Sequence, residues 1–255
     1  MSRVSVVTGA ASGIGKATAE LLRSRGERVI GVDLHDTDIT ADLSSQAGID
    51  AMVAAVAEAS GGAIDAVYSI AGLAIEKAIT VKVNFFGMTG VLVGLRPLLL
   101  KSEAPRAAGI ASMASLIPVD DELVALMTAG DEDGAVAYAA ATEDKGLIYS
   151  STKKAFAQWI RRTAPTPDWA GAGIPLNAVG PGVIRTPMTS DLLSTQEAEK
   201  ELLKMVPMPL NGVADPIVVA RLLAWLNSVE NTHLCGQVVF VDGGSDAIIR
   251  GDSTW

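Results

Sequence analysis

The sequence has few residues of the kinds that form disulfides or bind metals. Cys235 is the single cysteine among 255 residues, so an internal disulfide is impossible. This fits a reducing compartment, and we expect a cytoplasmic location. The two histidines, His35 and His233, stand far apart, without a partner at metal-ligand spacing. We therefore expect no metal site.

Positive charge and long apolar runs are also scarce. The formal net charge is −9, and such an acidic surface repels nucleic-acid phosphates. The longest apolar stretches, around residues 81–100 and 174–184, do not provide the roughly 18 uninterrupted apolar residues that cross a membrane. The interruptions are Lys82, Arg96, Pro97, Asn177 and Pro181. Residues 1–15 enter a predicted strand at once, so we expect no signal peptide. Neither nucleic acid nor a membrane is an expected partner.

Apolar segments of strand length alternate with helical patterns along the whole chain. The predicted strands are Val4–Thr8, Arg28–Asp33, Ile39–Leu43, Ala66–Ala71, Ala108–Ser112, Ile174–Val179 and Gln237–Val241. Helical patterns occupy residues 14–25, 46–59 and 76–100. Strands rich in Val, Ile and Ala with helices between them indicate a parallel sheet covered on both faces. The prediction is an α/β fold: a single doubly wound Rossmann-type domain, residues 1–255, with a parallel seven-stranded sheet.

Two segments interrupt this alternation. Residues 116–146, approximately, combine acidic side chains with alanine-rich helical pieces, and we interpret them as a surface insertion. Residues 185–212, approximately, follow a strand end, where ligand-binding loops of such sheets lie. A mobile lid over a substrate and an ordinary long surface loop explain this second segment equally well.

A glycine-rich turn between the first strand and the first helix predicts a dinucleotide site. Gly9 allows a sharp turn, while Gly13 and Gly15 allow the backbone to approach a pyrophosphate. The helix N-terminus then favours the phosphate charge. Ser12 and Ile14 belong to the same predicted site.

Two acidic residues refine the choice of dinucleotide. Asp33 ends the second predicted strand, where a carboxylate accepts hydrogen bonds from ribose hydroxyls and repels a 2′-phosphate. No arginine follows at positions 34–38, so the prediction is NAD rather than NADP. Asp42 is placed to bind the adenine amino group, with Leu43 beside it. A helix N-cap near Ser44 is an equally good explanation of Asp42.

A tyrosine and a lysine four residues apart predict proton-transfer chemistry. Tyr149 and Lys153 share one face of a helix. A free tyrosine, with a pKa of about 10, gives up its proton poorly at neutral pH, and a nearby ammonium lowers that pKa. Ser112, at the end of the fifth predicted strand, is the candidate for holding the substrate oxygen.

Together these motifs resemble the short-chain dehydrogenase/reductase family over nearly the whole chain. The matching motifs are Thr8–Gly15, Ala71-Gly72, Asn84, Ser112, Tyr149 with Lys153, Pro181-Gly182 with Thr186, and Val241-Asp242-Gly243-Gly244. The resemblance implies that Tyr149 is the general acid/base and that Lys153 lowers its pKa and binds the nicotinamide ribose. It further implies that Ser112 orients the carbonyl, Asn84 holds a water for proton relay and Thr186 contacts the carboxamide. The implied cofactor-binding residues beyond the glycine turn and the acids are Ala71, Gly72, Tyr149, Lys153, Pro181, Gly182, Val183, Ile184 and Thr186.

The chain departs from the family pattern in its spacing. The segment between Gly72 and Asn84 is short, and that between Ser112 and Tyr149 is long. These features resemble the bacterial 3α-hydroxysteroid dehydrogenase/carbonyl reductase subgroup. The family resemblance implies a homodimer or homotetramer, paired through the helices of residues 76–100 and 147–164, and the insertion lies beside that surface.

Three functions are compatible with these residues. The first is NAD(H)-dependent interconversion of a secondary alcohol and a ketone on a hydrophobic substrate, in particular a hydroxysteroid. The second is the same chemistry on small aryl or alicyclic ketones and carbinols, and the third is a non-catalytic NAD(H)-sensing protein. The candidate substrate-binding residues are Ser112, Tyr149, Met188 and Leu192. Methionines and leucines of the 185–212 loop suit a bulky apolar ligand, or equally they pack the loop itself.

Overall fold

The computed structural model describes residues 2–253 and contains one seven-stranded sheet. Its strands are β1 Val4–Thr8, β2 Arg28–Asp33, β3 Ile39–Thr40, β4 Ala66–Ser69, β5 Arg106–Ile110, β6 Leu176–Pro181 and β7 Val238–Val241. All neighbours are parallel, in the order β3-β2-β1-β4-β5-β6-β7. The order reverses between β1 and β4, and a crevice opens at such a reversal, beyond the carboxyl ends of the strands. The predicted doubly wound α/β fold is confirmed.

Helices cover both faces of the sheet. They are α1 Gly13–Ser24, α2 Gln46–Ser60, α3 Ile79–Val81, α4 Met88–Leu99, α5 Asp121–Ala129, α6 Glu132–Ala141, α7 Leu147–Thr163, α8 Gln196–Met205, α9 Pro216–Leu226 and α10 Ser245–Arg250. A π-helical segment, Lys82–Gly87, joins α3 to α4. The core between sheet and helices is apolar, with residues such as Val6, Leu22 and Leu95 fully buried.

The long helix formed by α3, the π segment and α4 is strongly apolar. Within residues 2–253, Ile79–Leu99 is the one helix long and apolar enough to cross a membrane, with a mean hydropathy of 1.2 over its most apolar stretch. Half of that stretch is buried inside the protein. Leu92, Leu95 and Leu99 are fully buried in the core, as in the core helix of a folded domain.

Residues 116–146 form two short helices with acidic N-termini. Asp120 caps α5 by accepting a hydrogen bond from Leu123 N at 3.1 Å, and Asp131 caps α6 through Gly134 N at 2.9 Å. The other acidic side chains in the first turns of α5 and α6 interact favourably with the positive ends of the helix dipoles. Two serines of α7 hold this segment: the Ser151 hydroxyl accepts from Asp120 N at 2.9 Å, and the Ser150 hydroxyl donates to Pro118 O at 2.8 Å.

The ends of several strands differ from the sequence prediction. The fifth strand was expected at Ala108–Ser112, whereas β5 is Arg106–Ile110. Its bounds follow the ladder with β6, which pairs Ala107 with Leu176 and Ile110 with Val179. Ser112 consequently lies two residues beyond the strand, where its hydroxyl accepts from Ala114 N at 3.1 Å and caps a 3-10 turn. The prediction that Ser112 ends a strand is therefore wrong by two residues.

Candidate active site

A cavity of about 550 Å³ lies over the carboxyl ends of the central strands. Its wall combines the segments that follow β1 to β6 with residues of the Ile79–Leu99 helix and with Tyr149 and Lys153 of α7. Most of the residues predicted from the sequence line it: Gly9, Ser12, Gly13, Ile14, Gly15, Asp33, Asp42, Leu43, Ala71, Gly72, Ser112, Tyr149, Lys153, Pro181, Gly182, Ile184, Thr186 and Met188.

The glycine turn at one end of the cavity leaves room for backbone alone. Gly9 and Gly13 have φ angles of 71° and 51°, in the left-handed region that favours glycine. A Cβ on Gly9 would stand 3.1 Å from the Ala71 backbone, and one on Gly13 would stand 3.3 Å from Thr186 Cγ2. A Cβ on Gly15 would overlap the carbonyl group of Gly9. This bare backbone at the start of α1 fits a dinucleotide pyrophosphate.

Asp33 is fixed at the cavity edge by the turn itself. Its Oδ2 accepts a hydrogen bond from Ala11 N at 2.9 Å, and its Oδ1 accepts one from Leu34 N at 2.7 Å. The carboxylate therefore joins the end of β2 to the glycine turn. It lies in the wall of the cavity, where a ribose could reach its remaining lone pairs.

Asp42 also lies in the cavity wall. Its Oδ1 accepts from Ser44 N at 2.9 Å, and this backbone hydrogen bond lowers the pKa of the Asp42 carboxyl. The N-cap of α2 is Ser45, whose hydroxyl accepts from Gly48 N at 3.2 Å. The alternative that Asp42 serves as a helix N-cap is therefore wrong.

Tyr149, Ser112 and Lys153 all line the cavity. The Ser112 hydroxyl lies near enough to the Tyr149 phenol to act towards a lower pKa of that phenol. Lys153 is 3% exposed, and its Nζ donates to Ile110 O at 3.0 Å and lies 5.7 Å from the centre of the Tyr149 ring. A proton donor, an oxygen-binding hydroxyl and a cation thus share one wall.

The acid–base properties of this group differ from the sequence expectation. Burial raises the pKa of the Tyr149 phenol, although the nearby Ser112 hydroxyl works in the opposite direction. Burial also lowers the pKa of Lys153 to about 8. The expected lowering of the tyrosine pKa by the lysine is not what the structure shows, because desolvation outweighs any effect of an ammonium that bonds to Ile110 O.

Three predicted residues lie outside the cavity wall. Asn84 is fully buried behind it, where its side chain bonds to the backbone of Leu73. Val183 lies behind Gly182, with its amide directed at the sulfur of Met208. Leu192 is 56% exposed and is not part of the cavity wall, so its contact with substrate stays a prediction. Of the loop's methionines and leucines, Met188 alone lines the cavity described here.

Several lining residues were not found from the sequence. They are Leu34, Ala41, Ser44, Ile70, Leu73, Ile79, Val83, Ile110, Ala111, Pro187 and Thr189. Most of these residues adjoin a predicted site residue in the sequence, so they could have been predicted from that adjacency. Ile79 and Val83, which also line the cavity, stand four residues apart on one helix face. Among residues 2–253, His, Cys, Asp and Glu form no group of three that could hold a metal.

Comparisons with known proteins bear on the family. A family model described as Enoyl-(Acyl carrier protein) reductase matches residues 9–246. The 3-alpha-hydroxysteroid dehydrogenase/carbonyl reductase of Comamonas testosteroni is 32% identical over 96% of this chain and 97% of that protein. The 2-(R)-hydroxypropyl-CoM dehydrogenase of Xanthobacter autotrophicus is 30% identical over 97% of this chain and 100% of that protein. The crystal structure of a 3-alpha-hydroxysteroid dehydrogenase from Pseudomonas sp. B-0831, complexed with NADH, has a TM-score of 0.90 at 36% identity, covering 98% of this chain and 99% of that one.

Proposed function

This chain belongs to the short-chain dehydrogenase/reductase family, and we propose that it interconverts a hydroxysteroid and the corresponding ketone with NAD(H). Membership makes it an oxidoreductase that acts on the CH–OH group of small molecules with a nicotinamide cofactor. The steroid substrate and the choice of NAD are the proposed parts. The observation that carries them is one cavity whose wall contains Asp33 together with Ser112, Tyr149 and Lys153.

The side chains have distinct roles in the proposed reaction. A nicotinamide bound in the cavity supplies the hydride chemistry. Ser112 holds the substrate oxygen, and Tyr149 donates a proton to it in reduction or removes one in oxidation. The presence of both hydroxyls in the cavity wall, with Ser112 near enough to act on the pKa of Tyr149, supports this division, since one substrate oxygen can then contact both. Lys153 Nζ lies 5.7 Å from the centre of the Tyr149 ring, and in the proposed reaction its positive charge offsets part of the cost of burying the deprotonated phenol.

Asp33 supports NAD as the cofactor. Its two oxygens are anchored by backbone amides, so the carboxylate cannot turn away from a ligand at the cavity edge. A ribose 2′-hydroxyl donates to such a carboxylate, whereas a 2′-phosphate is repelled by it. The NADH named for the Pseudomonas structure agrees with this proposal.

The charge of the cavity wall supports an uncharged substrate. Among the lining residues within 2–253, Lys153 is the one cation, and it is bonded to Ile110 O. The acids Asp33 and Asp42 stand at the proposed adenosine end. The wall that contains Ser112 also has apolar side chains, among them Leu73 and Met188. A hydrophobic substrate without an anionic group near its carbinol suits this wall, and the hydroxysteroid names of two relatives agree with that chemistry.

A second candidate is the same reaction on small carbinols. The hydroxypropyl relative, at 30% identity, favours it, because a protein about as similar as the steroid relative is named for a small carbinol. The substrates in this second proposal are small, uncharged aryl or alicyclic carbinols and the corresponding ketones, which were also predicted from the sequence.

We further propose how the protein is organised. Residues 1–255 form one domain, in which residues 116–146 are an insertion and residues 185–212 are the substrate loop, and the protein is a cytoplasmic homodimer or homotetramer. Since α5 packs against α7, pairing through this side of α7 must involve the insertion. Light scattering of the full chain, and of a Ser150→Ala/Ser151→Ala variant that loosens α5, measures the subunit count and whether it depends on this segment.

The test of function is NADH formation from NAD across hydroxysteroids, small aryl and cyclic carbinols, and a carbinol with a nearby carboxylate, with NADP in parallel. We expect turnover of a hydroxysteroid with NAD and poor turnover of the anionic carbinol. Turnover confined to small carbinols favours the second candidate, and preference for NADP overturns the cofactor assignment.

Tyr149→Phe separates catalysis from cofactor sensing. It should abolish turnover while NADH binding, measured by fluorescence, persists. Tyr138→Phe, which alters a tyrosine of α6, is the matched control and should remain active. Turnover retained in Tyr149→Phe rules out this assignment. NADH binding by a wild-type protein that turns over no carbinol points to the sensing alternative.

A further inference from the structure

Met208 lies where three segments of the chain converge behind the cavity. It is 6% exposed and follows α8 within the 185–212 loop. The Met208 side chain contacts the turn after β6, because a Cβ on Gly182 would stand 3.0 Å from both its sulfur and its terminal methyl. A Cβ on Gly243, after β7, would stand 3.1 Å from Met208 Cβ.

The sulfur of Met208 is also a hydrogen-bond acceptor. Val183 N donates to Met208 Sδ at 3.2 Å, in a buried environment. Thioether sulfur is a weak acceptor, but a buried backbone N–H left without a partner costs free energy. The sulfur therefore supplies a hydrogen-bond acceptor for Val183 N, which a hydrocarbon side chain of the same size would lack.

The segment of Val183 borders the cavity directly. Gly182 and Ile184, on either side of it, line the cavity, while Val183 itself faces inwards. Backbone hydrogen bonds hold its neighbours: Gly182 N donates to Val241 O at 3.0 Å, and Arg185 N donates to Ala214 O at 2.9 Å. Met208 thus provides a side-chain support for a turn whose other supports are mainly backbone groups.

We propose that Met208 is a positioning residue for the nicotinamide end of the cofactor site. Its sulfur orients the Val183 peptide, and its methyl group packs beneath Gly182, so that the cavity-facing backbone of the turn is held ready for the nicotinamide. Met208 contacts neither cofactor nor substrate, and it acts through Val183. The inference rests on the proposed function, because it requires that residues 181–186 bind the nicotinamide.

Met208→Leu tests this role, since leucine retains an apolar side chain of similar volume and removes the acceptor. We expect the dissociation constant of NADH to rise about fivefold, which corresponds to about 1 kcal/mol. ADP-ribose, which has the adenosine and phosphates but no nicotinamide, should bind as it does to the wild type. A purely structural defect would weaken both ligands alike. Met205→Leu, at a 70% exposed position of the same loop, is the matched control and should leave both affinities unchanged.

Met208→Gln is the second variant, because its side-chain oxygen can accept from Val183 N. It should bind NADH more tightly than Met208→Leu. The inference is overturned if Met208→Leu binds NADH as the wild type does, if both variants lose NADH and ADP-ribose equally, or if glutamine restores nothing. A wild-type protein that fails to bind NADH at all overturns the proposed function instead, so the two failures are distinguishable.

Discussion

The side chain of Asn84 makes a paired contact with the backbone of Leu73. Asn84 Oδ1 accepts from Leu73 N at 2.7 Å, and Asn84 Nδ2 donates to Leu73 O at 2.8 Å. Nδ2 also lies 3.3 Å from Thr152 Oγ1. Leu73 lines the cavity whereas Asn84 stands behind it. The asparagine of the family motif therefore shapes this wall of the site through Leu73.

Asn84→Ala should lower the free energy of unfolding by about 2 kcal/mol, because both backbone groups of Leu73 lose their partner. Asn84→Asp should also destabilise, since a carboxylate cannot donate to Leu73 O. Thr152→Val removes the longer contact to the amide and the hydrogen bond that the Thr152 hydroxyl donates to Tyr149 O at 2.7 Å within α7, and it is the control for a smaller effect. Urea unfolding at pH 7 measures all three, and a stability of Asn84→Ala within 0.5 kcal/mol of wild type, roughly the scatter of a neutral substitution, would contradict the account.

Asp33→Asn should shift the enzyme towards NADP. The substitution keeps a carbonyl oxygen for the Ala11 amide and removes the charge that repels a 2′-phosphate. We expect the ratio of kcat/KM for NADP to that for NAD to rise at least about tenfold, or about 1.4 kcal/mol. Asp42→Asn is the control, and it should change both cofactors by the same factor. An unchanged ratio in Asp33→Asn would show that Asp33 does not select the cofactor.

The buried Lys153 should make stability depend on pH above neutrality. Its pKa is about 8 in the folded protein, against an ordinary value of 10.5. Between these values the unfolded chain binds the proton and the folded protein does not, so the free energy of unfolding rises with pH. Below pH 8 both states are protonated, and this contribution is constant.

The measurement is urea unfolding of wild type and Lys153→Met from pH 7 to 10. The wild type should gain stability relative to the variant across this range, approaching about 3 kcal/mol over the full interval between the two pKa values. If the stabilities of the two proteins instead change with pH in parallel, burial does not lower the pKa of Lys153 in the folded protein.

Gly15→Ala should damage the cofactor site. Its Cβ would overlap the carbonyl of Gly9, so α1 must move away from the turn, at a cost of about 1–3 kcal/mol. NADH affinity should fall more than tenfold, as measured by fluorescence titration. Gly171→Ala is the control, because a Cβ there would come no closer than 3.5 Å to Pro167. Equal NADH affinity in Gly15→Ala and wild type would exclude close approach of the pyrophosphate to this turn.

Local sequence patterns were sufficient to predict those features that depend only on residues close together in the chain. The alternation of apolar strands and amphipathic helices predicted the parallel sheet. Tyr149 and Lys153 share a helix face because they are four residues apart. Gly9 and Gly13 adopt the left-handed conformations that their place in a tight turn suggested.

Contacts between residues distant in sequence could not be predicted from such patterns. The bounds of β5 depend on its ladder with β6, more than sixty residues later in the chain. The partner of Asn84 is a backbone segment across a bend, and the partner of Val183 N is a sulfur on the far side of the substrate loop. The rise in the Tyr149 pKa depends on burial, which no local sequence pattern measures.

The sequence by itself determined the doubly wound sheet, the glycine turn with Asp33, and the pairing of Tyr149 with Lys153, because periodicity and short spacing set these within one or two elements. Only the tertiary structure decided that Asn84 bonds to Leu73, that the Met208 sulfur accepts from Val183 N and that Leu192 lies outside the cavity wall. Each of these depends on which buried polar groups and apolar surfaces remain unpaired after distant segments pack together, and that is a property of the whole fold.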